Sequence, residues 1–218
     1  MHLGTTADAD EIRDTARTQP LLVAAALLAA EHLSLDDVAV TAGHSVGELG
    51  AAALAGVLSA DAAITLAGVR GREMAAACAL EPTGMAAVLG GETDEVLDGI
   101  EAHGLYTANQ NGAGQIVAAG SLEGLDKITV ARPGGARVIR LQVAGAFHTP
   151  YMASAETALA AVAAGITPPI RPAPCCRTST ARRSATARRW CGGSSVRSPR
   201  RCAGTCACVR WPTSGSPA

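Results

Sequence analysis

The chain reads as an α/β protein carrying a small β-α-β-β-α-β insert, and three observations predict this. Short β-prone runs alternate with Ala- and Leu-rich stretches of helical spacing over the first 170 residues. A glycine-flanked serine, Gly43-His44-Ser45-Val46-Gly47, sits between one such run and one such helix. Beyond Pro82 the pattern becomes strands and helices in the order of a ferredoxin-like unit.

Taken in order, Asp8 to Leu33 carries Ala and Leu at helical spacing, with Pro20 starting or kinking its second half. Asp37 to Ala42 is a short β-prone run, and the Ser45 turn leads into an Ala-rich helix to about Val57. Ser59 is the expected N-cap of a further helix through about Cys78, because its hydroxyl can satisfy an orphan N–H of the first turn. Pro82-Thr83-Gly84 breaks the pattern. In the unit that follows, Met85–Leu89, Leu105–Asn109, Gln115–Ala119 and Arg137–Val143 are expected strands, Asp94–His103 a helix and Gly120–Lys127 a weaker helix. The expected division is a core of residues 1–83 and 145–170, an insert of 84–144 and a tail of 171–218.

Composition bounds the function. The 218 residues are 48% hydrophobic and carry a net charge of −1, so bulk charge points to neither nucleic acid nor an acidic membrane as partner. The longest apolar run, Leu21 to Ala30, is too short to span a bilayer. No basic n-region opens the chain, which predicts a cytoplasmic protein without a signal peptide. The average hides a seam, because residues 1–170 hold 8 Lys+Arg against 19 Asp+Glu, while the tail holds ten Arg and no acid. Six of the seven Cys lie in that tail, together with no Leu or Ile, so it lacks the material of an ordinary core.

The Ser45 turn matches G-x-S-x-G, the nucleophile elbow, in the strand-then-helix setting that gives the motif meaning. Glycines on both sides are expected because the turn is too tight for side chains there. The helix N-terminus aims free N–H groups at developing negative charge, and the Val46 N–H is the expected oxyanion donor. A serine that merely caps a helix is the bland reading. A nucleophilic serine needs a base, and five histidines are available. His44 is adjacent, with its side chain expected to point away from that of Ser45, while His2, His32 and His103 read as solvated. His148, in Gly145-Ala146-Phe147-His148-Thr149-Pro150, lies in a loop after a strand and follows the serine in the chain. Between Ser45 and His148 no acid stands out as the third member of a triad.

Gly43-His44-Ser45-Val46-Gly47-Glu48, Arg70-Gly71-Arg72-Glu73-Met74 and Gly145-Ala146-Phe147-His148 resemble, in order and spacing, the malonyl-CoA:acyl-carrier-protein transacylases. Thr18-Gln19-Pro20 and Asn109-Gln110-Asn111-Gly112-Ala113-Gly114-Gln115 add two further similar segments, so the resemblance covers about residues 5–168. It implies an α/β-hydrolase-like core with a ferredoxin-like insert. It implies Ser45 as the nucleophile toward a malonyl thioester and His148 as its base, later activating the pantetheine thiol of acyl carrier protein. Arg70 matches the arginine that pairs with the free malonyl carboxylate, a task suited to a forked donor; without the motif it would read as a surface helix arginine. Phe147 matches the position associated with malonyl over methylmalonyl choice, and Gln19, His44 and Asn111 are candidate active-site lining. The histidine of this family is oriented by a carbonyl or amide oxygen, so the missing acid is no objection. Malonyl-CoA and acyl carrier protein are the implied substrates and partners, with no cofactor, no metal and a monomer as precedent. Competing readings are the acyltransferase domain of a polyketide synthase, a serine esterase, and an inactive product that is no enzyme.

Two features of the family are missing. A first strand with a G-Q-G-x-Q loop, whose glutamine supplies a second oxyanion N–H, has no match before Asp8, so a leading segment is expected. A Q-x-x-x-P-V-x-W segment after the histidine is also absent from the tail as written. Shifted by one frame, Cys175 through Ala181 is compatible with Leu-Leu-Ser-Asn-Leu-Asp-Gly, and Arg197 through Gly204 with Gln-Val-x-x-Pro-Val-Arg-Trp. The expectation is a frameshift near residues 169–174, leaving 171–218 out of frame and non-native or disordered. The rival is a basic interaction tail using its arginines with Trp190 and Trp211. Its C-x3-C-x-C spacing lacks the paired C-x2-C of a zinc module.

Overall fold

The structure, a computed structural model, describes residues 2–12, 14–35, 38, 40–167 and 175–177. The element order is α1 (His2–Thr5), α2 (Ala9–Ile12), α3 (Thr15–Ala30), β1 (Thr41–Gly43), α4 (Gly47–Leu54), α5 (Ala60–Cys78), β2 (Thr83–Leu89), α6 (Thr93–Ala102), β3 (Tyr106–Gly112), β4 (Gln115–Ser121), α7 (Leu122–Ala131), β5 (Arg137–Arg140), α8 (Ala153–Ala163) and β6 (Cys175–Arg177). This is an α/β protein, as the alternation of patterns predicts. The described residues form two compact units, one running to Glu73 and resuming at Glu156, the other spanning Met74–Ala155, so the division falls within α5 and α8. Among the described residues no helix is long and apolar enough to cross a membrane.

In the first unit, the expected helix over Asp8–Leu33 is two helices, because Asp14 stops one and starts the next. Its carboxylate accepts from the Ala16 N–H at 2.9 Å, an N-cap that fixes the start of α3 at Thr15. Pro20 then falls in the second turn of α3, where it supplies no N–H for the Ala16 carbonyl and its ring crowds that carbonyl. Of the β-prone run, Thr41 and Ala42 lie in β1, while Val38 and Val40 are exposed and outside a strand. Thr41 Oγ1 donates to the Ala51 carbonyl at 2.9 Å and ties β1 to α4. Ser59 caps α5 as expected, accepting from the Ala62 N–H at 3.1 Å. The core joins Val23, Leu49, Leu58, Leu66 and Leu159, filled between by alanines of α5 and α8. Gly71 lets α5 come against the first turn of α3, where a Cβ would stand 2.6 Å from the Thr15 carbonyl oxygen.

Three residues of the tail are described. Cys175–Arg177 pairs in parallel with β1, Thr41 opposite Cys175 and Gly43 opposite Arg177. The ladder hydrogen bonds of such a pair use backbone groups alone. The rest of 171–218, with its frameshift reading, lies outside the described residues.

The second unit realises the order β2-α6-β3-β4-α7-β5, with four antiparallel strands arranged β3-β4-β2-β5. The helical pattern ends before Pro82 as expected, with α5 closing at Cys78, and Thr83-Gly84 already opens strand β2. The weak helix over Gly120–Lys127 is α7, shifted to Leu122–Ala131 because Ser121 caps it, its Oγ accepting from the Gly124 N–H at 3.1 Å. The strand over Arg137–Val143 ends at Arg140, although the Leu141 N–H still reaches the Met85 carbonyl at 2.9 Å. One face of the sheet packs Val88 and Ile116 against Val96 and Ile100 of α6 and Leu125 and Ile128 of α7. The other face packs Met85, Ala108 and Val117 against Ala146 and Phe147.

Candidate active site

Ser45 stands where β1 turns into α4, with φ at +56°. A left-handed backbone costs a residue with a Cβ about 1–2 kcal/mol, so the position holds only because its surroundings enforce it. The enforcement is steric. A Cβ at Gly43 would overlap the Gly47 carbonyl and crowd the Glu48 nitrogen, so only glycine lets the chain double back this tightly. Gly47 is different, since a Cβ there would meet nothing within 4 Å. The expectation that both glycines are demanded by the turn is thus corrected: sterically, Gly43 is and Gly47 is not.

The first backbone donors of α4 divide into used and unused. The N–H groups of Gly47, Glu48 and Leu49 donate to the carbonyls of His44, Ser45 and Val46 at 3.0, 3.1 and 3.1 Å. The Val46 N–H donates to no described residue, which leaves it beside the serine for an incoming oxygen. Ser45 and Val46 are half-buried and His44 is exposed.

Arg70 and Gln19 complete the cluster within this unit. Arg70, on α5, is 7% exposed, and Gln19, on α3, is 6% exposed. Arg70 Nη1 donates to Gln19 Oε1 at 2.6 Å, and Nη2 donates to Ser45 Oγ at 3.1 Å. The reading of Arg70 as a surface arginine is excluded by its burial. The guanidinium thus sets a positively charged, forked donor against the serine oxygen. The two glycine-driven approaches, Gly43 in the turn and Gly71 beside Thr15, bring the three side chains together.

The remaining candidates belong to the second unit. His148 is half-buried with φ at +61°, the second strained position among the sequence candidates. Phe147 is half-buried and packs with Met85 and Ala146 on one side and Met74 and Met152 on the other. Asn111 is exposed near the β3–β4 turn, where its Nδ2 donates to Gln115 Oε1 at 2.9 Å. Cys78, the described cysteine outside the tail, is half-buried, and burial pushes its thiol pKa up, away from thiolate chemistry. Among the described residues no group of three His, Cys, Asp or Glu side chains is placed to hold a metal ion.

Sequence reasoning did not find Thr83 and Thr149, the buried threonines that hold the chain around His148. Thr149 before Pro150 is a helix-start signature, a capping hydroxyl followed by proline at the first helical position, and that signal was available. Thr83 carries no such mark.

The described residues thus present a strained serine at a helix N-terminus, hydrogen-bonded to a buried cation. The chain is a member of the acyl transferase domain family, which it matches over residues 2–210. It is 59% identical over 169 residues to the malonyl CoA-acyl carrier protein transacylase of Mycolicibacterium smegmatis, covering 76% of this chain and 58% of that protein. The crystal structure of the malonyl transacylase MCAT from Mycobacterium tuberculosis superposes with a TM-score of 0.76 at 54% identity, covering 80% of this chain and 59% of that one. A type II polyketide synthase acyl-carrier protein in complex with its malonyl-transacylase is similar at 28% identity and a TM-score of 0.70, covering 80% of this chain and 59% of that one. The chain thus spans less than two thirds of the relatives it matches.

Proposed function

We propose that the chain carries the site that transfers a malonyl group from coenzyme A to the pantetheine thiol of acyl carrier protein through a malonyl-Ser45 ester. The observation that carries the reading is the 3.1 Å hydrogen bond from Arg70 Nη2 to Ser45 Oγ. A guanidinium that touches the nucleophilic oxygen is within reach of a carboxylate one methylene beyond the ester carbonyl, which is the geometry of a malonyl group. An acetyl group offers that cation nothing, so the contact favours malonyl.

In the first half-reaction Ser45 Oγ attacks the thioester carbonyl while His148 takes its proton, and the oxyanion collects on the Val46 N–H. Coenzyme A leaves as its thiol after recovering that proton, with the malonyl ester held by Arg70. In the second, His148 deprotonates the carrier thiol, which attacks the ester and returns Ser45. Support for His148 comes from the family motif and from its strained backbone; Gln19 orients Arg70, and His44, Asn111 and Phe147 line the site. Within the second unit we assign residues 84–144 as a ferredoxin-like insert, the strand order β3-β4-β2-β5 supporting the name. Residues 1–83 and 145–170 are assigned as an α/β-hydrolase-like core with a nucleophile elbow, and 171–218 as an out-of-frame tail. The reading calls for no cofactor or metal and describes a cytoplasmic monomer.

The test uses radiolabelled malonyl-CoA with the full chain. Label should appear on Ser45, disappear in Ser45→Ala, and pass to acyl carrier protein when that is added. In Arg70→Ala, kcat/KM for malonyl-CoA should fall by about 10²-fold or more, the scale of losing a buried charge-assisted pair, while acetyl-CoA is unaffected or favoured. A cooperatively folded protein that takes no label would overturn the mechanism.

A further inference from the structure

We infer that Thr149 is a positioning residue for His148: its buried hydroxyl closes the loop that holds the histidine in its left-handed backbone. The inference rests on the reading of His148 as the base. Thr149 is 7% exposed, and its Oγ1 donates to the Ala146 carbonyl at 2.6 Å and accepts from the Tyr151 N–H at 3.3 Å. One hydroxyl therefore bridges the residues on either side of His148. It uses its single donor backward and a lone pair forward, which only a Ser or Thr side chain can do at this reach.

The other end of the loop is equally fixed. Ala146 is fully buried, and its N–H donates to Thr83 Oγ1, from the first residue of β2, at 3.0 Å. The Ala146 residue is thus gripped through its N–H by one threonine and through its carbonyl by another. Just before it, Gly145 is packed so closely on Cys78 that a Cβ would overlap the thiol sulfur. Phe147 adds a turn contact, its N–H donating to the Gly145 carbonyl at 3.1 Å, and fills the apolar side of the loop. With both flanks held, φ of +61° at His148 is the conformation that closes the chain between them. Release of the Thr149 bridge lets His148 relax toward an ordinary backbone, which swings its imidazole away from the direction the loop sets.

The experiment compares Thr149→Val, Thr149→Ser and His148→Ala in the full chain, reading malonyl transfer, its pH profile and the thermal melt. Thr149→Val should lower kcat by about 10- to 100-fold with KM for malonyl-CoA little changed, the signature of a misplaced base. Its kcat–pH profile should shift, because the imidazole sits in altered surroundings. Thr149→Ser keeps both hydrogen bonds and should restore rate and profile. If Thr149→Val does not fold, Thr83→Val, which loosens Ala146 from its other side, should give the same kcat loss with KM unchanged. A folded Thr149→Val or Thr83→Val with wild-type kcat and pH profile, beside an inactive His148→Ala, overturns the positioning role alone. An active His148→Ala overturns the base assignment instead.

Discussion

The Ser45 turn and the His148 loop solve one problem by two means. Each holds a residue with a Cβ at positive φ, +56° and +61°, in a different unit. The serine turn is held by shape, since Gly43 must lack a side chain for the backbone to fold onto Gly47. The histidine loop is held by chemistry, two buried threonine hydroxyls gripping Ala146. A backbone packed on backbone has nowhere to move, whereas a loop held by side chains can be loosened one hydrogen bond at a time. The difference teaches that strain at the two positions should fail differently: abruptly at Ser45, gradually at His148.

Gly43→Ala should break the first most severely. Its Cβ overlaps main-chain atoms that no rotamer change can remove, so a loss of about 3 kcal/mol or more in chemical denaturation is expected, with acylation of Ser45 abolished. Gln19→Leu should cost about 2–3 kcal/mol, because it leaves a buried guanidinium N–H without its amide oxygen; a malonyl kcat/KM reduced by about 30-fold or more is the readout. Gly145→Ala sharpens the comparison, since its Cβ meets a side chain, Cys78, instead of backbone. A cost of about 1–3 kcal/mol is expected, largely recovered in the double variant with Cys78→Ala, whereas no side-chain truncation should rescue Gly43→Ala. The smallest effect belongs to Gly47→Ala, which enters open space at the first position of α4 and should hold or raise the melting midpoint by up to about 1 kcal/mol in stability. A Gly47→Ala as damaging as Gly43→Ala would erase the distinction drawn here between the two glycines.

The candidate cluster was legible in unequal parts. Ser45 stood out from its own glycine-flanked turn, whereas Arg70 and Gln19 were marked by the family resemblance alone. That Arg70 donates to Gln19 and Ser45 left no such trace, since the contact joins residues 51 and 25 positions apart. Thr83 escaped because a buried threonine that binds backbone looks like any other threonine, whereas Thr149 did carry a capping signature before Pro150. Of the β-prone run before Ser45, Thr41 and Ala42 lie in β1 and pair with Cys175 and Cys176.

By itself the sequence determined the alternation of helix and strand, the order of elements in the second unit, the cap at Ser59 as a place where a helix begins, and the place of the serine turn. These are local matters, decided by side-chain spacing, hydroxyls near helix starts and residues that tolerate tight turns. Tertiary structure decided the rest: which glycine the turn requires, that Arg70 is buried against Ser45, and that His148 is strained between two threonines. Each depends on what lies opposite in space, and a chain carries no record of its partners until helices and sheet have packed.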